Sequence, residues 1–257
     1  MSSAGIVQPT PDATPRMGVG AQLANIFFAP SKTFAEVKRA GASWPTIIAA
    51  WLLISASMLA LAYVVQVKIG FDTVAENRMR RMPKIQQMME RMPEEQRAKA
   101  LADQPASAQR NAYMAPLWTA VIFLIVSALQ MATFNFGFGA KFSFKTCIAI
   151  VTLSGLPGIV RNLLAIVSIY AGVSPEGFNF DAPIASNLGA LFDVATHPYL
   201  ATFGSFMDLF MFWTLGISAL GFAVVGGIKF GRALIPVVGW YLLFVLAIFG
   251  LFAAFLL

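Results

Sequence analysis

Two apolar runs at the C-terminus constrain the fold of this chain more than any other part of its sequence. Met207–Ile228, which is charged only at Asp208, and Ala233–Leu257 each suffice for the roughly 20 residues that a helix needs to cross about 30 Å of hydrocarbon. A four-residue basic turn, Lys229 to Arg232, separates them. The sequence therefore predicts a membrane hairpin whose turn stays in the cytoplasm, because short loops rich in Lys and Arg are retained there.

The composition also indicates an integral membrane protein. The 257 residues are 58% hydrophobic and only 12% charged, whereas soluble domains have about 25% charged residues. Most of the chain is taken up by apolar runs, so a single membrane domain is the expected organisation. The formal net charge of +6 is explained by basic residues that flank these runs, and the sequence therefore predicts no nucleic-acid partner.

Three further apolar runs precede the C-terminal hairpin. They are Trp44–Val67, Pro116–Phe136 and Cys147–Ala171. Because each is long enough to cross a bilayer, the sequence predicts an all-α, polytopic membrane protein with five transmembrane helices. Two short basic turns, Lys141–Lys145 and Lys229–Arg232, and the cation-free loop Val173–Phe203 favour an N-terminus in the cytoplasm and a C-terminus outside. Raw counting of cations gives a near tie.

The N-terminal residues differ from the runs that follow. Residues 1–20 are rich in Ser, Thr, Pro and Gly and predict a disordered tail. The segment Gln22–Arg39 predicts an interfacial amphipathic helix on the membrane surface; the alternative is a linker that packs under the bundle. In the interfacial interpretation, Phe27, Phe28 and Phe34 bury in lipid and Lys32, Lys38 and Arg39 face the headgroups.

The segment Lys68–Tyr113 does not fit a bilayer. It contains nine Lys or Arg and six Asp or Glu residues, which predicts a polar, extramembrane helical insertion within the membrane domain of residues 21–257. Pro83, Pro93 and Pro105 divide it, and two short helices are expected between them. Its methionines, at helical spacing from Met82 to Met92, resemble a soft metal site, but with no His or Cys nearby they indicate an apolar packing stripe.

The third span contains two unusual residues, Pro157 and Arg161. Small and polar residues share one face of this helix, which predicts that the face points into the bundle. They are Ser154, Gly158, Arg161, Ala165, Ser168 and Gly172. An arginine at this depth is costly, so we expect a compensating partner, and Asp208 at the start of the fourth span is the candidate. The two residues form a predicted intramembrane polar pair.

Residues for catalysis are scarce. The chain has one His and one Cys, which excludes an intramolecular disulfide and leaves Cys147 without companions for a zinc site. His197 lies four residues after Asp193, but a histidine in a surface loop is the simpler interpretation. The sequence predicts no catalytic, cofactor-binding or metal-binding residues and no enzyme activity.

Two segments resemble the Yip (Ypt/Rab-interacting) family in its bacterial form. AQLANIFFAPSKTFAEVKRAGASW, from Ala21, has an Asn-x4-Pro-x3-Phe spacing at Asn25, Pro30 and Phe34. The later segment from Thr202 has Asp208, Phe210 and Trp213 at the opening of the fourth span. The resemblance covers nearly the whole chain and implies five helices, a cytosolic N-terminus and location in a bacterial inner membrane. The Asp-Leu-Tyr-Gly-Pro motif of eukaryotic relatives is not found here, so the resemblance does not predict binding of a small GTPase.

Two functions remain compatible with these observations. The first is a non-enzymatic membrane scaffold or adaptor of the Yip type, which contacts the lipid bilayer and other membrane proteins or copies of itself. The second is a small transporter or permease for an anionic solute that uses Arg161. Five spans with one embedded cation and no inverted repeat are a weak basis for transport, so the sequence favours the scaffold.

Overall fold

The computed structural model describes residues 15–172, 174–180, 182–194 and 196–255. In these residues the regular secondary structure is helical and no strand occurs. The α-helices are α1 Val19–Phe28, α2 Pro30–Ala40, α3 Trp44–Lys68, α4 Phe71–Arg80, α5 Pro83–Glu90, α6 Glu94–Ala132, α7 Phe144–Ser154, α8 Pro157–Tyr170, α9 Pro198–Ser205, α10 Leu209–Gly226 and α11 Phe230–Phe255. Short 3₁₀ turns occupy Pro175–Gly177 and Leu188–Leu191, and a π turn, Thr133–Gly137, continues α6.

Five of the helical segments are long and apolar enough to cross a membrane, which confirms the predicted number of spans. They are Trp44–Lys68, Glu94–Gly137, Phe144–Tyr170, Leu209–Gly226 and Phe230–Ile248. The third consists of two helices, α7 and α8, because Pro157 cannot donate a backbone hydrogen bond and begins a new helix.

The helix that contains the second span begins far earlier than the sequence predicts. Helix α6 runs unbroken through Pro105 and Pro116, so the expected short helix that ends before Pro105 is wrong. A helix of this length, 39 residues, spans roughly 58 Å at about 1.5 Å per residue. Because the hydrocarbon is about 30 Å thick, the first half of α6 projects out of the membrane.

The third span lies at the centre of the bundle. Helix α7 packs against α3, α6 and α10, while α8 packs against α3 and α10, and α11 packs against α10. An aromatic cluster closes this core: the rings of Phe134 and Phe222 stack with their centroids 4.5 Å apart, and Phe142 meets Phe222 edge-on at 5.3 Å. These rings join α6, α10 and the loop before α7.

The insertion shares a second hydrophobic core with the spans. Phe71 and Val74 of α4 pack with Leu61 and Val65 of α3 and with Phe178 in the loop after the third span. The amide of Asn77 donates to the carbonyl oxygens of Pro175, at 2.8 Å, and of Phe178, at 3.2 Å. Contact between these two loops is consistent with the prediction that both lie on the same side of the membrane.

Candidate functional site

The N-terminal segment folds into a tight helical hairpin, here called the N-terminal hairpin, made of α1, Ala29 and α2. The N–H of Ala29 donates to the carbonyl of Asn25 at 2.7 Å and ends α1. Pro30 then begins α2, where its fixed φ suits a first helical turn. The hydroxyl of Thr33 donates to the carbonyl of Gln22 at 2.9 Å, and both side chains are buried, so the two helices are held together by a buried polar contact.

A glycine on α10 receives the hairpin. Phe34 is 0% exposed, and a Cβ built on Gly221 would lie 2.9 Å from its ring and 2.6 Å from Cγ2 of Ile150. Real Cβ atoms do not approach other atoms this closely, so the residue at position 221 must be glycine for α2 to sit where it does. In hydrocarbon, such close approach between helices is a main source of association.

Two further contacts show where the hairpin lies along the fourth span. The ring of Phe27 meets Trp213 edge-on at 6.1 Å between centroids, and Nζ of Lys38 lies 3.7 Å from the Cβ position of Gly227. Trp213 and Gly227 are 14 residues apart along the fourth span, roughly 21 Å at about 1.5 Å per residue. The hairpin therefore lies beside the span over much of its length.

These contacts correct part of the interfacial-helix prediction. Phe34 is buried by α10 and α7 instead of by lipid, and Phe27 is partly covered by Trp213. Phe28, at the tip of the hairpin, is 88% exposed. Lys32, Lys38 and Arg39 are exposed, and their contact with headgroups stays a prediction.

One ion pair closes the charged end of the hairpin. Nη2 of Arg39 lies 2.8 Å from Oε2 of Glu36, and Glu36 also accepts from the N–H of Met17 at 3.2 Å. Because the Arg39 guanidinium favours the ionised carboxyl, the pKa of Glu36 lies below its ordinary value of 4.5. Residues 15–18 thus lie against the hairpin, which corrects the C-terminal part of the predicted tail; residues 1–14 lie outside the described residues.

Asp208 acts as the N-cap of the fourth span. Its Oδ1 accepts from the N–H groups of Phe210, at 2.9 Å, and Met211, at 3.2 Å, and its Oδ2 accepts from the hydroxyl of Ser186. An aspartate at this position satisfies donors that a helix start leaves free. Ser186 belongs to the loop before α9, so the carboxylate also ties this loop to the membrane.

Arg161 is not brought to Asp208. Among the described residues there is no ion pair or hydrogen bond between them, and Nε of Arg161 is buried without an acceptor. The neighbouring Asn162 is buried and donates to Oγ of Ser57 on the first span at 3.0 Å. The predicted polar pair is therefore replaced by an Asn–Ser contact and by an arginine that no described side chain compensates.

The two segments that resemble one family therefore meet in space. Phe27, beside Asn25 in the N-terminal segment, contacts Trp213 in the later segment, and Trp213 in turn lies 6.4 Å from Phe210 between ring centroids. The family model of the Yip1 domain matches residues 24–253, which includes nearly all of the first segment, the whole of the second and all five spans.

The chain belongs to the Yip1 domain family. Neither a curated protein nor a solved structure matches it. The region that matches the Yip1 domain begins within α1, so it contains most of the N-terminal hairpin together with the bundle.

Sequence reasoning missed the polar contacts inside this Yip1 domain. Asn162–Ser57 and Thr33–Gln22 are buried pairs, and the one available signal was a polar side chain within an otherwise apolar run. On the fourth span, the small residues Ala219 and Ala223 are buried. The residue that meets the hairpin, Gly221, lies between these two.

The described part of the Yip1 domain contains no group of three His, Cys, Asp or Glu side chains placed to hold a metal ion. Cys147 is buried in the core. His197 lies with its Nδ1 2.9 Å from the hydroxyl of Thr196. Neither residue is paired with a second catalytic side chain in the described contacts.

Proposed function

We propose that this Yip1 domain protein is a non-enzymatic membrane scaffold or adaptor that presents its N-terminal hairpin to partners in the plane of a bacterial inner membrane. The observation that carries the proposal is the insertion of Phe34 against Gly221. This contact fixes the hairpin on the fourth span, so a partner meets a preformed surface and need not order it.

The exposed side of the hairpin has both apolar and basic character. Phe28 is exposed at the tip, while Lys32 and Lys38 are exposed along α2. Lys229, in the turn after α10, and Arg232, in the first turn of α11, are both exposed and lie at the end of the bundle that Lys38 reaches. Cations near an anionic leaflet contribute about 1 kcal/mol each, so this end of the protein is suited to the cytoplasmic surface.

The orientation is tested with single cysteines in a Cys147→Ala background. Ala185 is exposed in the loop between the third and fourth spans, so we expect Ala185→Cys to react with a membrane-impermeant maleimide in intact cells. Cysteine at exposed Lys229 is the matched control and should react only after the membrane is opened. The reverse pattern would contradict the proposed topology.

The scaffold proposal is tested by crosslinking in cells. A photo-crosslinking residue at position 28 should give discrete adducts with membrane proteins or with a second copy of the chain. Phe34→Ala should abolish these adducts at equal protein abundance, because the hairpin then loses its fixed position. Unchanged adducts with Phe34→Ala, or adducts with lipid alone, would contradict a protein scaffold.

Transport of an anionic solute is a second candidate, and the buried, unpartnered Nε of Arg161 favours it. Purified protein in proteoliposomes should then carry phosphate or chloride faster than protein-free vesicles, and Arg161→Gln should abolish the flux. The scaffold proposal expects no flux with either protein.

A further inference from the structure

The depth of Arg161 in the membrane follows from its neighbour. Asn162 donates to Ser57, which is the fourteenth of the 25 residues in α3. Ser57 therefore lies roughly 17 Å from the Lys68 end of the first span, at about 1.5 Å per residue. A guanidinium at this level lies too deep in the membrane to reach the headgroups of either leaflet, unless the side chain extends towards one of them.

The side chain is only partly covered by its neighbours. Leu163, Leu164, Val167 and Tyr170 are exposed on α8. Arg161 is half-buried and lies opposite Leu163 and Tyr170, but only three residues before Leu164, by the 3.6-residue helical repeat. Its face is shared with Ala165, which is 0% exposed and packs in the core with Leu61 and Val65. Arg161 therefore lies at the edge of the packed face of α8, with its Nε covered and the rest of the side chain only partly so.

No described side chain balances its charge. The structure gives Arg161 no ion pair or hydrogen bond to any described residue, and its Nε is buried without an acceptor. Asp208 is occupied by two backbone N–H groups and Ser186. Intramembrane cations usually face a counter-charge or a polar cavity, so the guanidinium needs an acceptor that the protein does not provide.

There is room for such an acceptor one turn away. Gly158 precedes Arg161 by three residues and shares its side of the helix, and a Cβ built on Gly158 would meet no heavy atom within 4 Å. The site thus combines an unsatisfied, charged donor with open space beside it.

We propose that Arg161 is the cationic centre of a binding site for one oxyanion at the partly open side of α8, beside Gly158. The planar guanidinium can donate two parallel hydrogen bonds to a phosphate-type group. That group is supplied either by the headgroup of a phospholipid or by free phosphate, which share this chemistry. The site is independent of the proposed scaffold role, because none of its residues contacts the N-terminal hairpin in the described interactions.

Thermal unfolding of the full chain in a neutral maltoside detergent tests the site. The first arm adds inorganic phosphate against sodium chloride at equal ionic strength. The second adds short-chain phosphatidic acid against short-chain diacylglycerol, which has the same tails without the phosphate. We expect a saturable rise in the unfolding midpoint with the phosphate-bearing partner of at least one pair. A response in the second arm alone identifies lipid, and a response in the first identifies free phosphate.

Two variants locate the response. Arg161→Gln should abolish it and should unfold at or above the wild-type midpoint without ligand, because an uncompensated charge has been removed. Gly158→Leu keeps the arginine but fills the space and should also abolish the response. Lys145→Gln and Gly216→Leu are the matched controls, since Gly216 likewise has open space around its Cβ position; both should respond as the wild type does.

Three results would overturn the proposal. One is the absence of a response of the wild type in both arms. Another is a response that survives in Arg161→Gln. The third is an equal loss of stability in Arg161→Gln with and without phosphate, which would show that the arginine binds a protein acceptor.

Discussion

The two halves of the third span differ sharply in how they are covered. In α7, every residue from Cys147 to Ser154 is buried. In α8, which continues the same span, only Pro157, Asn162 and Ala165 are buried, and several large apolar side chains are exposed. The residues exposed on α8 are Leu163, Leu164, Val167 and Tyr170.

The N-terminal hairpin accounts for much of this difference. Helix α1 contacts both α3 and α7, and α2 packs along α10, so the hairpin closes the gap between the first and fourth spans around α7. Among the described residues the hairpin makes no extensive contact with α8, and the arginine of the third span lies in this half. The N-terminal hairpin, which is too short to cross the membrane, therefore covers the α7 half of the third span but not the α8 half.

The largest loss of stability should come from truncating Phe34, the side chain that packs the hairpin against α10. Phe34→Ala removes a ring that is 0% exposed and leaves a cavity against α10 and α7, which should destabilise the fold by about 3 kcal/mol, as large core truncations do. Thermal or denaturant unfolding in detergent measures the loss. Cysteine labelling at residues of α7 should increase in parallel, because the half of the span that the hairpin covers becomes accessible.

A second phenylalanine in the same hairpin provides the control. Phe28 is 88% exposed, so Phe28→Ala should change the stability in detergent by less than about 0.5 kcal/mol, as surface substitutions do. Equal losses for the two variants would show that the hairpin is held by lipid or detergent and not by its fit against the fourth span.

The glycine that receives this ring should give the next largest effect. Gly221→Ala places a Cβ within 2.9 Å of Phe34 and 2.6 Å of Ile150, and overpacking of this kind costs about 1–3 kcal/mol. Gly216→Ala, on the same helix with no heavy atom within 4 Å of its Cβ position, should be neutral or slightly stabilising, because alanine is the better helix former. If the two variants unfold alike, the close contact at Gly221 does not hold the hairpin.

The sequence predicted the spans well because their physical basis is local. A run of about 20 apolar residues must be helical in hydrocarbon, and all five runs are helices in the structure. The resemblance to one family was also confirmed, since the Yip1 domain matches residues 24–253. These conclusions depend on composition and order along the chain, not on which helices are neighbours.

The hairpin and the arginine could not be predicted in the same way. An amphipathic pattern such as that of α2 shows that one face of the helix is apolar. It does not show whether lipid or another helix, such as the glycine-containing α10, covers that face. The charges of Arg161 and Asp208 suggested a pair at similar depth, whereas the aspartate satisfies backbone donors at a helix start. Similarly, Pro105 and Pro116 lie inside α6, where a break was expected from local preference alone.

Because Arg161 and Asp208 share no bond in the described contacts, we expect substitutions of these two residues to change the stability independently of each other. Asp208→Ala removes an N-cap and should cost about 1 kcal/mol. The double variant Asp208→Ala with Arg161→Gln should equal the sum of the two single effects, since uncoupled sites add within about 0.5 kcal/mol. Unfolding in detergent of the four proteins gives this coupling energy, and a larger value would restore the predicted pair.

The smallest expected effect concerns the charged end of the hairpin. Because Arg39 and the N–H of Met17 lower the pKa of Glu36 in the folded protein below the ordinary value of 4.5, ionised Glu36 stabilises the fold above that value. The stabilisation is lost as the pH falls through the lowered pKa, when the carboxyl becomes protonated. The unfolding midpoint should therefore fall in acid by more in the wild type than in Glu36→Gln, whose side chain cannot titrate.

Arg39→Gln is the matched partner variant, and it should reduce the acid sensitivity in the same direction, because the guanidinium is the main cause of the lowered pKa of Glu36. An identical acid profile in the wild type and Glu36→Gln would mean that the ion pair contributes nothing to the stability of the fold.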